Sequence, residues 1–188
     1  MAALSIEEAG KISILREIAV ARDKRELDDA WRRYRSHTQK NVQWLLPQVV
    51  AQGARRLEDL RTLFDPDAEH PQLLDSVKQL GFYTDCLGDA HWSEPVSVID
   101  EKLARMLVGI AAFVSKGREM TPREIELWVQ HIKPVWKGPM DWMKKALANW
   151  HADMVREGLT HEPPESMEMF LWGPEGDVTN KSNARSDV

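Results

Sequence analysis

Apolar side chains recur at spacings of three and four over most of this chain, which is the period of one face of an α-helix. The segment Ser5-Ile6-Glu7-Glu8 has the pattern of a capping box, so the first helix is predicted to begin there and to end near Ala21. A second apolar stripe runs from Leu27 to Val49. Pro47 lies within this stripe and predicts a kink or a restart, because proline removes one helical amide.

Further helices are predicted from paired start and stop signals. A helix opening near Pro71 is expected to end before Gly81, because proline suits the first helical position and glycine the position after the last. Residues 82–95 have no clear period and are predicted to form a loop with at most one helical turn. The segment from Ser97 to Val114 is apolar on more than one face, so we expect a central helix buried on several sides.

The clearest helix start is Thr121-Pro122-Arg123-Glu124, which combines a capping box with proline at the first helical position. A stripe typical of side-by-side helix packing follows at Met140, Met143, Leu147, Trp150 and Met154. No segment alternates apolar and polar residues over enough length to predict a sheet. The pattern predicts an all-α, single-domain bundle of about seven to eight helices over residues 1–173, followed by a disordered polar tail at 174–188.

Composition narrows the class of protein. A chain of 188 residues is long enough for one domain with its own core. Cys86 is the one cysteine, which excludes an internal disulfide and fits a reducing compartment. No stretch has the length and apolar character of a secretory signal or a bilayer span. We therefore expect a cytoplasmic protein with no membrane contact.

Tryptophan is unusually frequent, with eight residues in the chain and five of them from Trp128 onward. An indole has a large apolar face and is enriched in binding hot spots. The leading hypothesis is therefore a small accessory or adaptor protein that has neither enzymatic activity nor a cofactor. It would bind another protein, or a second copy of itself, through a Trp/Met-rich C-terminal surface. The predicted anchors of this surface are Trp136, Trp142, Met167, Phe170 and Trp172.

Basic residues in the first third support an alternative hypothesis. Residues 1–64 have a net charge of +3, whereas the whole chain has a net charge of −5. Arg33, His37 and Lys40 fall opposite the apolar stripe of the second predicted helix and are expected to form a solvated outer face. Such a face can contact phosphates. In this nucleic-acid-binding alternative, the contact residues are Arg32, Arg33, Arg35, Lys40, Arg55 and Arg56.

A second alternative is a metal-dependent enzyme that uses Asp85, Asp89 and His91. Their spacing lacks the paired ligands of zinc motifs, so we predict no metal site. His131, His151 and Asp153 include a possible acid–base pair, but no recognisable nucleophile or phosphate-binding loop accompanies them. We accordingly predict no catalytic residue.

The order of features in the last third resembles the C-terminal region of phage helicase-loader proteins. It consists of a helix with a central tryptophan, a turn, a methionine-containing helix, and a proline stop before a short aromatic segment. These features are Glu126-Leu127-Trp128, Met140 to Met154, Pro163-Pro164 and Phe170-Leu171-Trp172, and they cover about a quarter of the chain. The resemblance implies a loader or adaptor that grips a replication protein.

Overall fold

The computed structural model describes residues 1–65, 67–83, 85–86, 92–117 and 119–173. This part of the chain is mostly helical, which confirms the all-α bundle. The helices of nine or more residues are α1 (Ala2–Val20), α2 (Lys24–Arg35), α5 (His70–Phe82), α7 (Glu101–Val114), α8 (Pro122–Ile132), α9 (Met140–Arg156) and α10 (Pro164–Trp172). The shorter ones are α3 (His37–Lys40), α4 (Leu46–Ala51), α6 (Pro95–Val98) and the 3-10 helices η1 (Asn41–Leu45), η2 (Leu57–Phe64) and η3 (Lys133–Val135).

Helix α1 is the central element of the fold. Near its start it packs with η1, α5 and α7 around one buried cluster, formed by Ala3, Ile6, Trp44, Leu74, Leu107 and Ala111. At its end Val20 is buried with Ile132 of α8 and Ala146 of α9 in a second cluster. Helix α1 therefore takes part in both buried clusters, one at each of its ends.

Some helix boundaries differ from the predicted ones. Helix α1 begins at Ala2 rather than Ser5, and the Ser5 amide and hydroxyl both donate to the Met1 carbonyl. The restart predicted at Pro47 is confirmed, since α4 has this proline in its first turn. Gly81 does not end α5, which continues through Phe82.

The segment predicted as a loop contains a short ladder and is followed by a short helix. Strand β1 (Asp85–Cys86) pairs antiparallel with β2 (Trp92–Ser93), and α6 follows. The predicted tail at residues 174–188 lies outside the described residues. Within the part of the chain that is described, no helix combines the length and apolar character needed to cross a membrane.

The prediction that residues 97–114 form a helix buried on several sides is wrong. Helix α7 begins at Glu101, where the Asp100 carboxylate caps it by accepting from the Leu103 amide. Leu107 and Ala111 are its buried residues, whereas Val108 lies in solvent. One face of α7 packs on α1, and apolar residues on the opposite face stay exposed because no other described element covers them.

Candidate functional site

Ser36 breaks the second predicted helix and turns the chain toward α1. Its backbone is extended, with φ −79° and ψ 129°, and its amide donates to the carbonyls of Arg32 and Arg33 at the end of α2. Its hydroxyl accepts from the Gln39 amide at 3.4 Å and so begins α3. One residue therefore ends one helix and starts the next, and this break redirects the side chains of α3.

The redirected helix α3 lies very close to α1. A methyl group at Gly10 would lie 1.8 Å from the carbonyl oxygen of Lys40. Glycine is therefore required at position 10 for the two main chains to approach. The approach places Lys40 and His37 against Glu7, which is one helical turn before Gly10.

Glu7 is a buried carboxylate surrounded by two lysines and a histidine. It is 4% exposed, and its Oε1 lies 2.8 Å from Lys40 Nζ and 2.7 Å from His37 Nδ1. From α5, Lys78 Nζ donates to the other oxygen at 3.1 Å and also lies 2.6 Å from Asp75. This Glu7 cluster, consisting of Glu7, His37, Lys40, Asp75 and Lys78, therefore joins three helices through charged hydrogen bonds.

Hydrogen bonds from these three neighbours keep Glu7 ionised. Burial alone raises the pKa of its carboxyl group, but hydrogen bonds from Lys40, His37 and Lys78 outweigh burial and lower the pKa to about 2. For Lys78 the directions are opposite. Burial lowers the pKa of its amine, but the hydrogen bonds to Asp75 and Glu7 outweigh burial, so the net shift of the pKa is upward. Both groups are therefore charged at neutral pH.

His37 faces solvent although it is anchored to a buried group. Its side chain is 63% exposed, whereas that of Glu7 is 5% exposed. An ionised carboxylate can only accept a hydrogen bond, so the proton between the two groups belongs to Nδ1 of His37. In the neutral imidazole, Nε2 then carries the free lone pair. This arrangement orients an exposed nitrogen that can accept a proton and later return it.

The predicted basic face is only partly formed. Lys40 does not belong to it, because the break at Ser36 turns this lysine inward and leaves it 5% exposed. Arg32 and Arg35 are exposed on the last turn of α2, where Arg32 lies 3.0 Å from Asp29. Arg33 pairs with Glu17 of α1. Two guanidinium groups therefore remain at the surface just before His37.

Arg55 and Arg56 lie in another part of the fold. Arg55 donates to the carbonyl of Val50 in α4 and to that of Ala54, which lies beyond the end of this helix. The Arg56 side chain lies beside Gly173, at the end of α10. Helix η2, which follows them, packs on α4, η1 and α10, whereas α2 packs on α1 and α3.

The five predicted protein-binding residues have different environments. Trp136 is half-buried against the cluster of Val20, Ile132 and Ala146. Met167, Phe170 and Trp172 are half-buried on α10. Trp142 is 60% exposed at the start of α9. Only Trp142 therefore presents most of its side chain to solvent, and the adaptor surface stays a prediction.

A second histidine–carboxylate pair links α8 to α9. His131 Nε2 lies 2.8 Å from Asp153 Oδ2. The hydrogen bond from His131 and the charge of Arg156 lower the pKa of Asp153. The His131 side chain is 16% exposed, and His151 is buried. This pair is thus much less accessible than His37.

No group of three or more metal-ligating side chains occurs among the described residues. Asp89 and His91 of the metal hypothesis lie outside them, as does the side chain of Asp85.

Comparison with known proteins places the chain in a family. The model of the family HEPN_AbiV, described as AbiV, matches residues 1–116. This is more than half of the chain, so the chain belongs to the AbiV family of HEPN domains. No curated protein and no solved structure matches it. The match includes the whole Glu7 cluster, whereas the helicase-loader resemblance rests on residues beyond it and stays a prediction.

Sequence reasoning missed Glu7 and Lys78 as site residues, although a signal was present. Glu7 lies on the stripe Ala3, Glu7, Gly10 and Ile14, whose spacings of four, three and four mark the buried face of α1. Lys78 follows Pro71 and Leu74 in the same way on α5. A charge on a buried stripe needs a partner and is a candidate functional group.

Proposed function

We propose that this protein is a ribonuclease in which His37 transfers protons during RNA cleavage. Proteins with HEPN domains are typically ribonucleases, and the AbiV family is associated with abortive infection. Family membership therefore favours a ribonuclease over our expectation of a protein without enzymatic activity. The observation that carries the proposal is the exposed His37 imidazole, held at Nδ1 by a buried, ionised Glu7.

A single imidazole can carry out both proton transfers of RNA cleavage. Nε2 of His37 accepts the proton of a ribose 2′-hydroxyl while the 2′-oxygen forms a bond to the adjacent phosphorus. The bond from phosphorus to the 5′-oxygen breaks, and the imidazolium returns the proton to that oxygen. The products are a 2′,3′-cyclic phosphate and a 5′-hydroxyl end. Glu7 does not touch the substrate, but by accepting the hydrogen bond from Nδ1 it fixes the tautomer and the orientation of the ring.

Arg32 and Arg35 supply the positive charge that this reaction needs. Both are exposed on the last turn of α2, within five residues of His37 in the chain. A guanidinium group can bind phosphate through two parallel hydrogen bonds and stabilise charge that develops on its oxygens. The nucleic-acid contacts predicted for these two arginines thus become substrate contacts. Lys40 instead holds Glu7 ionised.

The test is cleavage of a fluorescently labelled RNA oligonucleotide by the full chain. Replacing a general acid–base group lowers rates by about 100- to 10,000-fold, so His37→Ala should lose cleavage to this extent. His161→Ala removes an exposed loop histidine and is the matched control that should retain the wild-type rate. An RNA with 2′-O-methyl groups at every position should resist cleavage. Equal rates for wild type and His37→Ala would refute the proposed function.

A further inference from the structure

The helices beyond residue 116 lie outside the family match, and they carry an exposed indole set among polar groups. Trp142 lies on the first turn of α9, and Lys145 and Asn149 follow it at spacings of three and four on the same helix face. With Gln130 and Val135 they line a shallow cavity of about 360 Å³. We call this group the Trp142 platform.

We propose that the Trp142 platform binds one nucleobase of single-stranded RNA, at a subsite separate from the Glu7 cluster. The choice of RNA rests on the proposed function, whereas the subsite rests on the surface itself. Aromatic side chains that bind unpaired bases offer an exposed face for stacking, and neighbouring polar groups contact the base edge and the phosphate. Trp142 supplies that face, the amides of Gln130 and Asn149 can contact the edge, and Lys145 can contact the phosphate.

Charge favours a polyanion at this surface. Residues 130–149 contain four lysines and a single acidic residue, Asp141, in a chain whose net charge is −5. Two of the lysines are paired, Lys137 with Glu26 at 3.9 Å and Lys144 with Glu58. Lys133 and Lys145 are exposed and have no ion pair among the described residues. The platform therefore has free positive charge beside the indole, which suits a phosphate.

The same surface is a poor match for an apolar helix of a protein partner. Such a partner inserts several apolar side chains spaced three and four residues apart into an apolar groove. Here the apolar lining consists of Trp142, Val135 and Ala146, and the remaining lining residues are polar. Met140 is also exposed, but it is two residues from Trp142 and so does not share its face. A single base flanked by phosphates fits this lining better.

The length of α1 gives the approximate distance between the platform and the Glu7 cluster. Val20, at the end of α1, is buried with Ala146, which also lines the platform. Glu7 lies thirteen residues earlier on α1, which is roughly 20 Å of helix. At about 3.4 Å of stacked strand per nucleotide, an RNA that occupies both places must have on the order of six nucleotides or more.

The test measures RNA binding and cleavage separately. A labelled 12-nucleotide RNA is titrated into the His37→Ala protein, which is expected not to cleave it, and into the same protein with Trp142→Ala or Trp142→Phe added. Loss of base stacking should weaken binding roughly tenfold in Trp142→Ala, and Trp142→Phe should restore most of it because its ring still stacks. Met140→Ala is the matched control and should bind like its parent. Lys145→Gln should lower the slope of log affinity against log salt by about one phosphate contact.

In proteins with His37 intact, Trp142→Ala should raise KM for the 12-nucleotide RNA and leave dinucleotide cleavage unchanged, because a dinucleotide cannot reach the platform. Unchanged 12-nucleotide affinity in Trp142→Ala would overturn the platform even if His37-dependent cleavage is present. A change in sedimentation on Trp142→Ala, with RNA affinity unchanged, would assign the indole to a protein contact instead. Trp142-dependent RNA binding without any cleavage would support the platform and refute the proposed reaction.

Discussion

At the scale of single residues, Gly10 decides whether the Glu7 cluster can form. The Lys40 carbonyl occupies the space that a side chain at position 10 would need. Gly10→Ala should therefore push α3 away from α1, although alanine is intrinsically the better helix former by about 1 kcal/mol. Overpacking typically costs about 1–3 kcal/mol, so we expect a net loss of stability and a lower rate of RNA cleavage. Urea denaturation and the cleavage assay measure the two effects.

The matched control for this prediction is Gly109→Ala. Gly109 lies inside α7, and nothing is within 4 Å of the position that its Cβ would occupy. The same substitution should there raise the free energy of unfolding by up to about 1 kcal/mol and leave cleavage unchanged. If Gly10→Ala were as stable and as active as Gly109→Ala, the close approach of α1 and α3 would not matter to the site.

Glu7 makes stability depend on acid pH. Its carboxyl pKa falls from 4.5 to about 2 on folding, so the folded state favours the ionised form. The resulting stabilisation, on the order of 3 kcal/mol, is present above pH 4.5 and is lost as the pH falls toward 2. Glu7→Gln should accordingly be less stable than wild type at pH 7, and this difference should shrink below about pH 4.5. Urea unfolding from pH 7 to pH 3 measures it.

Glu162→Gln provides the comparison for the pH series. Glu162 is an exposed residue between α9 and α10, and no ion pair involves it among the described residues. Its replacement should leave stability close to that of wild type at every pH. A stability difference between wild type and Glu7→Gln that stayed constant from pH 7 to pH 3 would contradict a depressed carboxyl pKa at Glu7.

At the scale of helices, the sequence predicted helix caps more reliably than interruptions between helices. The capping box at Thr121 is confirmed, with the Glu124 amide donating to the Thr121 hydroxyl at 3.3 Å and the Thr121 amide donating to the Glu124 carboxylate at 2.6 Å. The similar pattern at Ser5 is wrong as a start, because Ala2 and Ala3 are strong helix formers and extend α1 past it. A cap pattern is decisive only where the preceding residues cannot continue the helix.

The break at Ser36 was missed because the apolar stripe continues across it. Trp31 and Tyr34 before the break and Thr38 after it keep helical spacing, so periodicity alone joins α2 to α3. The local signal was Ser36-x-x-Gln39, a third capping-box pattern in the chain. Because His37 directly follows Ser36, an analysis that misses the break also misses the candidate site. The buried partner of His37 is Glu7 of α1, which in turn is bound by Lys78 of α5, and such long-range contacts leave no local pattern.

Ser36 should affect activity beyond its contribution to stability. Ser36→Ala removes the hydroxyl that begins α3 and should cost about 1 kcal/mol of stability. Thr121→Ala removes the comparable cap of α8 and should cost about the same. Only Ser36→Ala should lower kcat for RNA cleavage, because His37 lies on the helix that it caps. Ser36→Asn, which can also cap, should recover most of the rate, whereas equal kcat values for Ser36→Ala and Thr121→Ala would exclude a positioning role.

At the scale of the whole molecule, the family match ends near residue 116, but the packing does not divide there. The Trp128 indole of α8 donates to the Arg16 carbonyl of α1 at 3.1 Å. Val20 of α1 is fully buried between α8 and α9. The helices that carry the Trp142 platform are therefore continuous with the helix that carries Glu7, and we expect the described chain to unfold as one cooperative unit.

Ile132 is the residue that tests this continuity. It lies on α8, is 0% exposed and packs in the cluster that includes Val20. Ile132→Ala should lower the free energy of unfolding by about 2–5 kcal/mol, because it leaves a cavity between α1, α8 and α9. Ile125, on the same helix, is 42% exposed, so Ile125→Ala should cost much less. Thermal unfolding monitored by circular dichroism and by tryptophan fluorescence should shift together in Ile132→Ala. If the fluorescence transition alone moved to lower temperature, the C-terminal helices would form a separate unit, and α1 would not hold the platform at a fixed distance from the Glu7 cluster.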